Sequence, residues 1–176
     1  MRNRVPGIGL LLVTALSAQL PADTSPRSDA PCSVTVPNGI VAGTQNSKRW
    51  SHGNSLLSVG PFGLWPGGTV EFKQGGAGFT TPDGRLGMKF GWTRGVPGRL
   101  NVSGRRLDAV APPLMFETKN GYGDVGFQPS YLIFSAPGCW EVSAQVGERL
   151  GSRVVFVTRI VKVGEGPAVR PEPTDR

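Results

Sequence analysis

The sequence has few of the residues on which most enzymes and metal sites depend. Its 176 residues include a single histidine, His52, and two cysteines, and only 18% are charged. One His and two Cys are too few soft ligands for a zinc site, and no Gly-x-Ser-x-Gly segment presents a serine nucleophile. No Asp-rich loop has the spacing of a calcium site. The composition therefore predicts a protein with no catalytic residue, no metal and no cofactor.

Residues that form long helices are also scarce, because 26 glycines and 16 prolines make up nearly a quarter of the chain. These two residue types are the poorest helix formers. The glycines have no three-residue period, which excludes collagen. Eight Phe, four Trp and two Tyr argue against disorder over most of the chain. The counts favour one domain of short strands joined by many turns.

Alternation of apolar and polar residues marks the strands. It is clearest at 86–93, where every second residue is large and apolar. A second alternating run covers 140–146. The longest run, 154–163, is apolar on both faces at its start, as expected for a central, covered strand. Turn signals such as Asp83-Gly84 and Asn120-Gly121 separate the runs. This spacing predicts an antiparallel β-sandwich of about seven to nine strands.

The N-terminus has the three regions of a secretory signal peptide. Arg2 and Arg4 form a basic region, residues 8–16 form an apolar region, and small residues within 15–22 offer cleavage sites. The apolar run is shorter than a membrane span requires. We therefore expect residues 1–22 to be removed and the protein to be secreted or periplasmic, with no transmembrane segment in the mature chain.

Polar and proline-containing segments bound the folded part of the mature chain. Residues 23–31 are predicted as a flexible linker, residues 32–163 as the β-sandwich domain and residues 164–176 as a disordered tail. The two cysteines are Cys32 and Cys139. An even cysteine count in an exported protein indicates pairing. A disulfide bond is therefore predicted between the first strand and a strand near the end of the domain.

Basic residues outnumber acidic ones, with 19 Lys and Arg against 12 Asp and Glu and a formal net charge of +7. Removal of residues 1–22 takes away Arg2 and Arg4 and no acid, which leaves a charge of +5. This excess favours acidic partners such as anionic polysaccharide or phospholipid headgroups. Nucleic acid is not expected as a partner, because the basic residues are dispersed and exported proteins rarely meet it.

Two glycine-flanked loop segments are the most distinctive part of the sequence. They offer arginine, whose fork of donors suits anions, and tyrosine, which supplies flat contact area. The alternative is structural, with Arg105 or Arg106 paired to Asp108 or Asp124 and Tyr122 covering the end of the core. Trp50 and Trp65 are likewise either core residues or platforms for sugar rings. The candidate binding surface consists of Trp50, His52, Arg105, Arg106, Asp108, Tyr122 and Asp124.

Several short motifs follow one another through the domain: Val34-Thr35-Val36-Pro37-Asn38, His52-Gly53-Asn54, Gly104-Arg105-Arg106-Leu107-Asp108, Gly121-Tyr122-Gly123 and Gly138-Cys139-Trp140-Glu141-Val142. Their succession covers nearly all of residues 32–163 and resembles an uncharacterised family of exported bacterial proteins. The ending around Trp140 is also similar to the last hairpin of secreted immunoglobulin-like bacterial domains. The resemblance implies export and a β-sandwich, and it implies no activity, catalytic residue or ligand.

Together these features predict an all-β fold, an antiparallel immunoglobulin-like β-sandwich. The predicted function is that of a secreted, non-catalytic module that binds an unknown protein or glycan partner at the cell envelope. One alternative is a hydrolase or carbohydrate-binding module for envelope polymers, although hydrolysis needs two converging carboxylates that the sequence does not reveal. Another is an inhibitor of a secreted enzyme, which a long exposed loop at 60–85 would favour.

Overall fold

The computed structural model describes residues 31–60 and 66–170 of the chain. These residues form ten β-strands and no α-helix, so the all-β class predicted from the sequence is confirmed. A short 3₁₀ turn, Pro66–Gly68, precedes the third strand. The strands are β1 (His52–Gly53), β2 (Leu57–Val59), β3 (Thr69–Phe72), β4 (Phe79–Thr80), β5 (Leu86–Arg94), β6 (Leu100–Arg106), β7 (Met115–Thr118), β8 (Gly126–Phe134), β9 (Gly138–Val146) and β10 (Val154–Lys162).

The strands belong to two sheets. The larger sheet has the order β1-β2-β5-β8-β7, and β4 pairs with β5 as its sixth strand. All of its pairings are antiparallel. The strands β1 and β4 are two residues long, too short for alternation to reveal them, which is why more strands form than the seven to nine predicted.

The smaller sheet has the order β3-β10-β9-β6. Its β3–β10 pair is parallel, with Thr69 opposite Arg159, whereas its other pairs are antiparallel. The predicted antiparallel arrangement does not hold at this one strand pair. A parallel pair needs a long crossover connection, and here most of the domain lies between the two strands, so no local hairpin signal exists.

The two sheets bury one shared core. Phe90 of β5 stacks on Phe156 of β10 with ring centroids 6.2 Å apart. Phe134 of β8 meets Trp140 of β9 edge to face at 5.4 Å. All four rings are fully buried and belong to one apolar cluster. Burial of each Phe contributes roughly 1.5–3 kcal/mol, so these inward positions fix the pairing of both sheets.

The predicted disulfide bond, Cys32–Cys139, is present, with Cα atoms 5.5 Å apart. Neighbouring residues of a strand point to opposite faces. Because Trp140 is in the core, Cys139 points to the outer face of the smaller sheet. The segment that follows Cys32 is not a strand, yet Thr35 exchanges two hydrogen bonds with Val157 of β10, of 2.9 and 2.8 Å. The disulfide therefore fastens this segment across the outside of the sheet.

The described chain continues in defined contacts beyond Val163, where the sequence places the end of the domain. The Thr80 amide donates to Ala168 O at 2.9 Å, and the Arg170 amide donates to Thr80 O at 2.8 Å. The Thr80 hydroxyl adds a bond to Pro167 O at 3.1 Å. These bonds lay residues 167–170 beside β4, a pairing too distant in sequence for a local pattern to show.

Several predictions from the sequence lie outside the described residues. They concern the signal peptide, all but the last residue of the linker, Trp65 and residues 171–176. Within the described residues, no helix is long and apolar enough to span a membrane.

Removal of the disulfide bond should lower the free energy of unfolding by about 2–4 kcal/mol, because the bond closes a long loop in the unfolded chain. The sequence separation of its cysteines is 107 residues. The test is urea unfolding of the oxidised protein and of the Cys32→Ser/Cys139→Ser variant. The reduced wild type should unfold at the midpoint of the variant. Equal midpoints for oxidised protein and variant would show that the bond does not stabilise the fold.

Candidate binding site

Besides the β1–β2 connection (54–56), three connections meet at one end of the two sheets. They are the β5–β6 turn (95–99), the β7–β8 loop (119–125) and the β9–β10 loop (147–153). The pairing registers bring them together, because Arg94 lies opposite Gly126 in the larger sheet and Leu100 lies opposite Val146 in the smaller one. Each of these connections contains glycines that the sequence marks as turn residues.

Arg94 ties two of these loops together. It is the last residue of β5 and continues the inward-facing positions of that strand, and only 4% of its surface is exposed. Its guanidinium donates to Gly98 O at 2.7 Å and also to Gly123 O. Its Nε is buried without a hydrogen-bond partner, and no described carboxylate forms an ion pair with it. Arg94 is therefore a buried cation that backbone carbonyls satisfy only in part.

Two pockets, each of about 320 Å³, flank the β7–β8 loop. One lies on the outer face of the larger sheet and is called the face pocket; its polar and aromatic lining includes Lys89, Lys119, Asn120, Tyr122, Ser130 and Tyr131. The other lies at the end of the sheets and is called the end pocket; its lining includes Arg94, Arg99, Lys119, Tyr122, Asp124 and Gln128. Lys119, Asn120 and Tyr122 line both pockets, so the loop separates two halves of one concave surface.

The concave surface is positively charged. Four cations line it, and the one carboxylate among the described lining residues is Asp124. None of these charged groups forms an ion pair within the described part of the chain. The four cations are Lys89, Arg94, Arg99 and Lys119. Because clefts focus the field of the charges that line them, this surface attracts anions.

An aromatic cluster supports the face pocket. Phe79 lies over Gly87, where a Cβ would overlap its ring, and meets Tyr131 edge to face at 5.3 Å. The Arg170 guanidinium lies 4.0 Å from the Phe79 ring centroid and 5.2 Å from that of Tyr131. It also donates to both carboxylate oxygens of Glu117 at 3.1 and 3.2 Å. Tyr131 is therefore held in place at the floor of the pocket.

The seven residues predicted from the sequence as a binding surface lie in three separate places. Tyr122 and Asp124 line the pockets just described. Arg105, Arg106 and Asp108 lie at and beyond the opposite end of β6, and Trp50 and His52 lie at the β1 edge of the larger sheet. The structure does not bring these three groups together.

The arginines of β6 take part in local ion pairs. Arg105 Nε lies 2.9 Å from Glu141, and Arg106 Nε lies 2.6 Å from Asp108. Burial raises the pKa of Asp108, but hydrogen bonds from Arg106 and from the Cys139 backbone, with the Arg106 charge, outweigh it and hold this pKa below its ordinary value of 3.8. The Arg106–Asp108 pair is the kind of pairing that the structural alternative describes, whereas Arg105 pairs with Glu141, which was not among the expected partners.

The two residues near β1 are partly buried. The Arg49 guanidinium lies 4.6 Å from the Trp50 ring centroid. The Nδ1 atom of His52 is buried and has no hydrogen-bond partner. Burial lowers the pKa of His52 below its ordinary value of 6.5, and a hydrogen bond with the Val155 backbone opposes this only in part. A neutral His52 is therefore favoured in the folded protein.

Sequence reasoning missed Lys89, Arg94, Arg99 and Lys119. One signal was readable, because Arg94 occupies the inward position that follows Leu86, Met88, Phe90 and Trp92 in steps of two. A charged residue at an inward strand position is unusual and marks a site worth inspection. The other three cations become neighbours only through the fold.

Three comparisons with known proteins give no match. No protein-family model matches the chain, and searches of curated proteins and of solved structures find no significant match. The described residues hold no group of three or more His, Cys, Asp or Glu side chains placed to bind a metal ion. The resemblance to exported bacterial proteins and the predicted lack of metal, cofactor and catalysis therefore remain predictions.

Substitution of Gly87 by alanine should lower the free energy of unfolding by about 1–3 kcal/mol, because the added methyl group displaces the Phe79 ring. Gly123→Ala is the matched control, since its Cβ would meet nothing within 4 Å, and its effect should stay within about 0.5 kcal/mol. Urea unfolding gives both values. Equal stability of the two variants would show that the Phe79 cluster tolerates a side chain beneath it.

The Arg106–Asp108 pair should stabilise the protein only where Asp108 is ionised. A folded-state pKa below 3.8 means that this stability is present above pH 3.8 and is lost as the pH falls through the lowered pKa. At pH 7 Asp108→Asn should cost about 0.2–1 kcal/mol, as a partly exposed pair does. The test is to measure unfolding of the wild type, Arg106→Gln, Asp108→Asn and the double variant between pH 2 and 7. The four values at each pH give the coupling free energy between Arg106 and Asp108. A coupling that does not change with pH would contradict this assignment.

Proposed function

We propose that this protein is an exported, non-catalytic binding module with an immunoglobulin-like β-sandwich, and that it recognises glycan chains carrying negative charge at the cell envelope. The observation that carries the proposal is the concave surface around the β7–β8 loop, where four cations and two tyrosine rings line adjoining pockets.

The chemistry of this surface suits charged sugars. Amines and guanidinium groups bind carboxylate or sulfate groups, and tyrosine rings offer flat, rigid contact area with a polar end. The amides of Asn120 and Gln128 line the same surface, and amides both donate to and accept from hydroxyl groups. A bare lipid headgroup would use the cations but would leave the rings and amides without a partner.

The form of the surface favours a chain over a small molecule. The two pockets adjoin across Lys119, Asn120 and Tyr122, so successive units of a polymer can occupy both. Contacts spread over several weak subsites raise the overall affinity through effective concentration. A polymer therefore fits the site better than a single sugar does.

The proposal of a binding role over hydrolysis rests on the carboxylates. A glycoside hydrolase uses two of them on opposite sides of the bond that is cut, about 5–9 Å apart. Among the described residues that line the pockets, Asp124 is alone in carrying a carboxylate. Glu117, the carboxylate nearest to Asp124 in the sequence, accepts hydrogen bonds from Arg170.

Export is supported by two independent features. The N-terminal 22 residues have the composition of a signal peptide, and the described chain contains a disulfide bond with no free cysteine. Disulfide bonds persist in oxidising compartments outside the cytosol. A glycan partner at the envelope is consistent with that location.

The purified protein should bind a polyuronate, such as polygalacturonate, and should not bind uncharged dextran of similar length. The variant Lys89→Gln/Lys119→Gln should bind about two- to thirtyfold more weakly, since each of the two exposed ionic contacts contributes about 0.2–1 kcal/mol. Binding of the wild type should also weaken with salt, because exposed charges are screened. Isothermal titration at several salt concentrations measures all three effects.

The matched control for this experiment is Lys48→Gln/Lys73→Gln, which removes the same charge elsewhere. Lys48 precedes β1 at the far edge of the larger sheet, and Lys73 follows β3 at the end opposite the loops. The affinity of this control variant for polygalacturonate should equal that of the wild type. Equal loss in both double variants would mean that net charge alone drives binding, and binding of dextran would exclude the charged-glycan class.

A further inference from the structure

We infer that the end pocket is a subsite for one sugar acid, in which Arg94 and Arg99 hold the carboxylate and Asp124 accepts hydrogen bonds from hydroxyl groups. This inference rests on the proposed glycan-binding function, and it adds which chemical group is recognised and where.

The first support is the incomplete pairing of Arg94. A guanidinium has five N–H donors, and two of the Arg94 donors are engaged, by Gly98 O and Gly123 O. A buried cation is costly unless an anion and further hydrogen bonds compensate it. Within the described residues no anion does so, so a ligand carboxylate in the adjoining pocket would supply the missing charge.

The second support is the accessible charge beside Arg94. Arg99 and Lys119 line the same pocket and are exposed, and neither takes part in an ion pair of the described chain. Arg99 contributes its backbone carbonyl to the fold by accepting a bond from the Gly147 amide at 2.7 Å. Its side chain is thus available to a ligand without any change in that bond.

Asp124 decides between a sugar acid and a simple anion. A carboxylate in the lining opposes any anion that enters the pocket, since like charges repel each other at short range, and inorganic sulfate has no hydroxyl groups with which to offset this repulsion. An ionised carboxylate accepts several hydrogen bonds, so it suits the hydroxyl groups of a sugar. Only a ligand with an anionic group and several hydroxyls uses both halves of the pocket. The volume of about 320 Å³ is at the small end of ligand pockets, as one sugar unit requires.

Arg94 also has a structural role, since it joins the β5–β6 turn to the β7–β8 loop. A variant at Arg94 would therefore confuse loss of binding with loss of fold. Arg99→Gln removes a guanidinium that lines the pocket. The hydrogen bond described for Arg99 is accepted by its backbone carbonyl, which the substitution keeps. Arg149→Gln is its matched control: this exposed arginine belongs to the β9–β10 loop at the same end and is not among the residues that line the pocket.

The experiment titrates the purified protein with methyl β-D-glucuronide, methyl β-D-glucoside and sodium sulfate, each followed by amide NMR shifts. The glucuronide should shift the amides of residues 121–124 and of Arg99, and the glucoside and sulfate should bind at least tenfold more weakly. Arg99→Gln should weaken glucuronide binding about tenfold or more, since a hydrogen bond to a charged group is among the strong ones. Arg149→Gln should leave it unchanged. A Tm of Arg99→Gln equal to that of the wild type shows that the fold is intact.

Each other outcome has a separate meaning. Binding of polygalacturonate without binding of the glucuronide, or with equal affinity in Arg99→Gln, overturns the subsite and leaves the proposed function standing. Sulfate that binds as tightly as the glucuronide overturns the assignment of a sugar acid. Loss of binding in Arg149→Gln as large as in Arg99→Gln shows an effect of net charge and overturns the subsite as well. Binding of neither polygalacturonate nor the glucuronide overturns the proposed function together with the subsite.

Discussion

The pairing of β5 with β8 is the constraint from which the other features of the structure follow. The two strands pair through nine residues, from Leu86 opposite Phe134 to Arg94 opposite Gly126. Their inner face supplies Phe90 and Phe134 to the shared core, and their outer face carries Lys89 and Tyr131, which lie opposite each other. Core and face pocket are thus the two faces of one ladder, and a shift of one residue would exchange them.

The same ladder explains why the concave surface has the charge that it does. The strand β5 ends at Arg94, at the end of the sheets where β6 begins and β9 ends. Arg94, its last inward residue, therefore contacts loops and not the strands of the opposite sheet. The neighbour of Arg94 across the sheet, Leu57, belongs to the core, whereas the Arg94 guanidinium reaches the backbone carbonyls of Gly98 and Gly123. Its charge therefore lies with the two loops that form the end pocket.

How much of the fold and of the candidate site was predictable from the sequence depends on how far apart in the chain the contacting residues lie. The alternation of 86–92 predicted β5 and its inner face, because the side-chain period within one strand is fixed. The disulfide bond was predicted from the even cysteine count of an exported chain. The parallel β3–β10 pair and the contact of Arg170 with Phe79 left no such pattern, since each joins segments far apart in the chain. The pockets were unpredictable for the same reason: their cations come from β5, the β5–β6 turn and the β7–β8 loop.

The seven residues chosen from the sequence show what composition alone can indicate about a site. Arg105, Arg106 and Asp108 stood out because arginine next to an acid is conspicuous, and in the fold this proximity lets Arg106 pair with Asp108 and leaves Arg105 to Glu141. A cation that has found its anion within the fold has less charge to offer a ligand. Lys89, Arg94 and Arg99 have no acid within two residues in the sequence. Lys119 has Glu117 at that distance, but in the fold Glu117 binds Arg170, so all four cations lack ion-pair partners in the described structure. Proximity to an acid in the sequence therefore does not by itself say which cations of this chain are paired in the fold.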